Sequence, residues 1–96
     1  MNLVVRPAAA ADLEEAFLWY EAQRAGLGNE FLDAVTHVFQ AVIESPQRHR
    51  AVHRDTRRVA CLRFPYSIFY RAIGDDVVIV GCFHGGRDPR RWEDRR

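Results

Sequence analysis

The spacing of apolar residues changes once along this chain, and that change limits the folds open to it. Before residue 45 apolar side chains recur at helical intervals. Leu13, Ala16, Phe17 and Tyr20 fall at i, i+3, i+4 and i+7, and Phe31, Ala34, Val35, Val38, Phe39, Val42 and Ile43 repeat the pattern. After residue 58 the period is two. Two amphipathic helices followed by strands bury their stripes most simply against one sheet, which is an α+β arrangement.

Local signals set the boundaries. Residues 2–6 (NLVVR) form a first strand closed by Pro7, which cannot continue a ladder but can open a helix. A first helix is predicted over residues 8–24 and stops at Gly26 and Gly28; a second runs over 29–44 and stops at Ser45-Pro46. So short a link predicts an antiparallel helical hairpin. Residues 46–58 (PQRHRAVHRDTRR) are polar, basic and aperiodic, and read as a loop. Strands follow at 59–64, 66–73 and 77–83, separated by Pro65 and Gly74-Asp75-Asp76. The last contains VVIVGCF, apolar on both faces, and belongs in the middle of the sheet. The order β-α-α-β-β-β predicts an N-terminal helical hairpin packed on a mostly antiparallel four-stranded sheet, in a single domain over residues 1–96.

Composition narrows the function. With 48% hydrophobic and 28% charged residues the chain has enough apolar material for a core, which disordered chains lack. No apolar run reaches the roughly 18 residues that span a bilayer, and no signal-peptide pattern opens the chain, so a cytoplasmic protein with no membrane partner is expected. Cys61 and Cys82 lie in apolar runs at a spacing that fits no metal or redox motif, and read as buried thiols. Residues 1–45 hold two arginines against seven carboxylates, a net of −5; residues 46–96 hold twelve against six, a net of +6. All fourteen cations are arginine. The basic half suits an anionic partner through planar, bidentate contacts, or is a solvated surface.

Four histidines, His37 on the second helix, His49 and His53 in the basic loop and His84 at a strand end, form no zinc motif, and no glycine-rich phosphate loop is present, so neither metal nor cofactor is expected. Residues 83–92 (FHGGRDPRRW) present cationic and aromatic chemistry directly after the core. A ribonuclease that uses the 2′-hydroxyl as nucleophile needs a base, an acid and a cation at the phosphate; His84, Arg87, Arg63 and Arg71 are the candidates. Alternation puts Tyr66 and Tyr70 on one side of their strand and Arg71 on the other, so they cannot all share a site. The structural alternative is that His84 caps a strand end while the arginines pair with Asp55, Asp75 or Asp88. Trp19, Tyr20 and Trp92 are core or interface anchors.

The helical-hairpin stretch carrying WYE…GLG, the RFPYSIFYR segment (residues 63–71) and VVIVGCFHGGRDPRRW (residues 77–92) together resemble the RelE/ParE superfamily of bacterial toxins, in the same order over nearly the whole chain. The resemblance implies the toxin of a type II toxin–antitoxin pair, of the plasmid-stabilisation kind, neutralised in a hetero-oligomer by a ParD-like or similar antitoxin that wraps the helices and sheet. The hairpin and the HGGRDP ending are closer to the ParE branch, whose members poison DNA gyrase; RelE-like members cut messenger RNA on the ribosome. The chain has no lysine to fill a RelE-type lysine role. In the ParE reading Trp19, Tyr20, Tyr66, Tyr70, Arg90, Arg91 and Trp92 contact partners; in the RelE reading His84, Arg87, Arg63 and Arg71 are catalytic. A third reading is a non-toxic binding module of the same fold.

Overall fold

Pro7 sits at the first helical position, where its missing N–H costs nothing, and the chain turns directly from strand β1 (Asn2–Val5) into helix α1 (Pro7–Gln23). The computed structural model describes residues 1–86 and 91–96, with Arg91 by its backbone alone. Gly26, at φ +90°, reverses the chain into helix α2 (Leu27–Glu44). The Glu21 carboxylate accepts from the N–H groups of Gly26 (3.0 Å) and Gly28 (3.0 Å), satisfying donors that a helix start leaves open. It therefore caps α2 from the preceding helix, and α2 begins two residues before the sequence expectation. At Gly28 a Cβ would lie 2.7 Å from the Phe17 ring and 2.9 Å from the Phe17 carbonyl, so the two helices approach through a position that only glycine fills.

The remaining strands are β2 (Ala51–His53), β3 (Thr56–Ala60), β4 (Tyr66–Ile73) and β5 (Asp76–His84), and a 3-10 turn follows at Arg91–Asp94. The sheet has five strands in the order β1-β5-β4-β3-β2, parallel only between β1 and β5. This corrects the four-strand expectation. Residues 46–58 are not wholly loop: they carry β2, the turn at Arg54 (φ 53°) and the start of β3. Strand β3 also stops at Ala60 instead of residue 64, where the chain turns outward through Leu62 and Arg63.

β5, expected in the middle of the sheet, is an interior strand paired on both sides, next to the middle strand β4, and is buried from Val77 to Phe83. One face, with Ile68, Tyr70, Val77 and Ile79, packs under the helices against Phe31, Val35 and Val42. The other, with Phe69, Val78, Val80 and Phe83, is covered by Val52 and Trp92. Between them β5 carries a register shift: Phe69 opposes Gly81 and Tyr70 opposes Ile79, leaving Val80 as an extra residue. Asp12 of α1 accepts from the Cys82 N–H (3.1 Å), Arg95 donates to the Val80 carbonyl (3.1 Å), and the two side chains pair with each other at 2.9 and 3.1 Å. The ladder defect is thus closed by one partly buried ion pair. Both cysteines are buried and free, and burial pushes the Cys61 thiol up to about 11.

Candidate partner-binding surface

Of the residues proposed for ribonuclease chemistry, His84, Arg63 and Arg71 are described, and each side chain has a partner of its own. His84 ends β5 with its ring edge-on to Tyr66 (centroids 5.2 Å), and its Nδ1 accepts from the Gly86 N–H at 2.9 Å, so the neutral ring carries its proton on Nε2. Arg71 lies five positions along β4 from Tyr66, the residue opposite His84, which places it about 16 Å away. There it forms a bidentate pair with Asp55 at 2.9 to 3.2 Å, the strand–acid pairing weighed as the structural alternative. Arg63 turns to α2, donating to Glu30 at 2.9 Å with its guanidinium 5.5 Å from the Phe64 ring centre. Arg87 and Arg90 lie outside the described residues, as does the Arg91 side chain. A pocket of about 70 Å³ beside His84 is shared with Arg58, Ser67 and Trp92.

The aromatic set divides in two. Tyr20 and Tyr66 are buried in one cluster with Phe31 and Phe64, at centroid distances from Tyr20 of 5.3 Å to Phe31, 4.9 Å to Phe64 and 6.0 Å to Tyr66. Tyr70 is fully buried and its hydroxyl donates to the Pro46 carbonyl at 2.7 Å; burial raises its pKa. All three tyrosines, expected to contact partners, are buried as core groups here. Trp92 is half-buried, stacked on Phe69 (5.1 Å, 14°) and met at an angle by His53. Trp19 is 50% exposed on α1 beside exposed Leu18.

What the sequence reading missed is a groove of about 450 Å³ between α2 and β3, a volume in the ordinary range for binding pockets. Its walls are the small or β-branched side chains Ala34, Val38, Ala41 and Val59, with Leu62 at its lip, 79% exposed. At one end Glu30 joins Arg24 and Arg63, each at 2.9 Å, and these two hydrogen bonds, Arg63's first, hold its carboxyl below the ordinary value. Arg63 adopts φ 72°, a conformation that costs a non-glycine residue about 1 kcal/mol or more and that clusters at functional segments.

The groove runs along an open sheet edge. The Cys61 N–H donates to Tyr66, so in the antiparallel ladder residues 57, 59 and 61 bond to β4 while 58 and 60 point away. The Arg58 N–H meets the Arg50 carbonyl, but β2 reaches no further, and the outward N–H and C=O of Ala60 have no backbone partner among the described residues. Around this edge Arg48, Arg50, Arg54, Arg57 and Arg58 form no ion pair with a carboxylate of the described residues. Arg57 is spent on the Gln47 and His49 carbonyls and Arg58 on the Ser67 hydroxyl, all neutral acceptors. Among the described residues no three His, Cys, Asp or Glu side chains gather as metal ligands would.

Residues 3–89 match a family model described as the ParE toxin of the type II toxin–antitoxin system parDE. The chain belongs to the ParE toxin family. Among solved structures this ParE-family chain is similar to one from the chromosomal ParDE TA system of P. aeruginosa, with 22% identity, 88% of this chain and 95% of that chain covered, and a TM-score of 0.66. At that identity the likeness is one of fold, and it supports the α+β class expected from the residues. No curated protein sequence matches the chain. Family membership makes it the toxin of a type II pair and implies an antitoxin as partner. No helix among the described residues is long and apolar enough to cross a membrane.

Proposed function

We propose that this ParE-family toxin arrests growth by poisoning DNA gyrase, without cutting RNA itself, and is neutralised by direct binding of its cognate antitoxin. The observation that carries the reading is that two of the ribonuclease candidates are committed elsewhere: Arg63 is paired to Glu30, and Arg71 to Asp55 about 16 Å from His84. General acid–base chemistry on a phosphate needs those groups within hydrogen-bond reach of one reacting atom. The ParE family match supports the same side of the division. Neutralisation rests on the antitoxin that the family implies and on the basic half, which suits an acidic partner.

The test is induction of the chain alone in a bacterium, following supercoiled plasmid and newly made messages together. Growth arrest with gyrase-linked double-strand breaks, intact messages and full toxicity in His84→Ala is the expected result. Cleavage within translated messages that disappears in His84→Ala overturns it in favour of the ribonuclease. Unimpaired growth makes the chain a non-toxic binding module.

A further inference from the structure

We propose that the outward rim of the β2–β3 hairpin is a duplex-DNA surface, which holds the phosphodiester backbone while the toxin engages gyrase. The proposal deepens the gyrase-poisoning reading and rests on it for the source of the DNA. Charge, its placement and the absence of other anchors each bear on it.

Residues 46–60 hold five arginines and a single carboxylate, Asp55. That carboxylate is already met twice, by Arg71 at 2.9 Å and by Arg96 at 3.2 Å, so it offsets none of the five. Arg48, Arg50, Arg54 and Arg58 are exposed, and none of them pairs with a carboxylate of the described residues. Guanidinium groups left open in this way present planar, bidentate donors that match phosphate oxygens. Arg50 and Arg58 lie across from each other, joined by a backbone hydrogen bond of 3.2 Å, and Arg54 stands at the turn four residues from either, about 13 Å away at the rise of a strand. Phosphates of one DNA strand advance about 3.4 Å per nucleotide along the duplex axis, so the rim spans roughly four of them.

The hairpin's other side chains face inward. Val52 packs on the cluster of Phe69, Val78, Val80 and Phe83, and His53 meets Trp92. Protein interfaces are centred on apolar anchors, whereas a phosphodiester backbone asks only for charge and donors, and the rim offers only those. Single-stranded nucleic acid is held by stacking its bases on aromatic rings. Trp92, beside the hairpin, is half-buried and already stacked on Phe69, which leaves a surface suited to a duplex. A gyrase poison that also grips DNA binds the enzyme with its DNA better than the enzyme alone, and only such a difference in affinity shifts the population toward the DNA-bound state.

The test begins with purified free toxin and a short fluorescent DNA duplex, titrated at several salt concentrations without gyrase. The logarithm of affinity is expected to fall against the logarithm of salt with a slope of about −3 to −4, at about 0.9 per phosphate. The triple variant Arg48→Gln, Arg50→Gln, Arg54→Gln changes only exposed side chains and is expected to melt at the wild-type temperature, to lose about 2 to 3 of that slope, and to bind duplex roughly tenfold more weakly or worse. With gyrase and supercoiled plasmid it should need several-fold more toxin than wild type to trap the same fraction of breaks. Equal duplex affinity and slope in the two proteins overturns the proposal, as does tighter binding of single-stranded RNA or DNA than of duplex by the wild type. A triple variant that binds duplex as before and loses its antitoxin assigns the rim to a protein and also overturns it. Breaks trapped equally well by both toxins remove the rim from the mechanism and leave the gyrase reading standing. Wild-type toxin that binds duplex with the expected slope but traps no breaks sinks the gyrase reading and leaves the DNA surface in place.

Discussion

Asp12 serves three groups at the one break in the central ladder: the Cys82 N–H, both terminal nitrogens of Arg95, and through Arg95 the Val80 carbonyl. Removing it leaves a part-buried guanidinium without its counter-charge and a backbone donor without an acceptor. Asp12→Ala should therefore lower stability by about 3 kcal/mol, and Asp12→Asn, which keeps an acceptor for Cys82, by less. Denaturant unfolding at unchanged m-value measures both, and equal midpoints for wild type and Asp12→Ala would refute the assignment. Nothing in the sequence announces this pair. Asp12 lies outside the apolar stripe of α1 and reads as solvent-facing, while its partner is 83 residues away. Tyr70 misleads in the opposite sense. A tyrosine in a basic, aromatic stretch looks available, yet its hydroxyl is spent on a loop carbonyl inside the core.

Among the elements, the helical hairpin and the central strand were legible because their periodicities are clean and their ends carry glycine or proline. The WYE…GLG stretch that carries much of the resemblance proves to be a structural device: Glu21 caps α2, Gly26 supplies the left-handed turn and Gly28 the close approach. Gly28→Ala must push Phe17 or its backbone aside, and a loss of about 2 kcal/mol is expected in thermal unfolding, against a few tenths for an exposed helical site such as Ala22→Ser. A Gly28→Ala variant as stable as wild type would show that the hairpin has slack. The β2–β3 hairpin stayed hidden because only Thr56 is buried along it, so burial imposes no alternation, and because its turn uses Arg54 in place of glycine. The groove was hidden with it, since a cavity between α2 and β3 exists only once β3 is known to end at Ala60.

For the molecule as a whole, the division into an acidic first half and a basic second half was readable directly from the residues, and it survives in the fold as a helical layer facing a sheet rimmed with arginine. The titrating groups act together. Burial, then the neighbouring Arg48 and Arg57, lowers the pKa of His49, whose Nε2 is buried without a partner and whose ring meets Tyr70. The unfolded chain thus binds a proton there more readily than the folded one, and stability falls as pH drops below the ordinary histidine value near 6.5. Glu30 and Asp55, both lowered first by hydrogen bonds from arginine, contribute stability above ordinary carboxylate values that is lost in stronger acid. Melting temperature should accordingly drop in two stages on acidification, and His49→Gln should remove the upper stage alone; a melting temperature that is level between pH 7.5 and 5.5 contradicts the assignment.

The parallel pairing of β1 with β5 also has a consequence for how the toxin is made. Asn2 to Val5 find their partners only in Asp76 to Ile79, and β5 is the strand on which both β1 and β4 depend. A ribosome working at about 5 to 20 residues per second completes β1, both helices and three further strands before it supplies the strand that joins them. The sheet cannot close during most of synthesis, so an unfinished chain is not yet a folded toxin, and an antitoxin already present meets its target at the moment of folding.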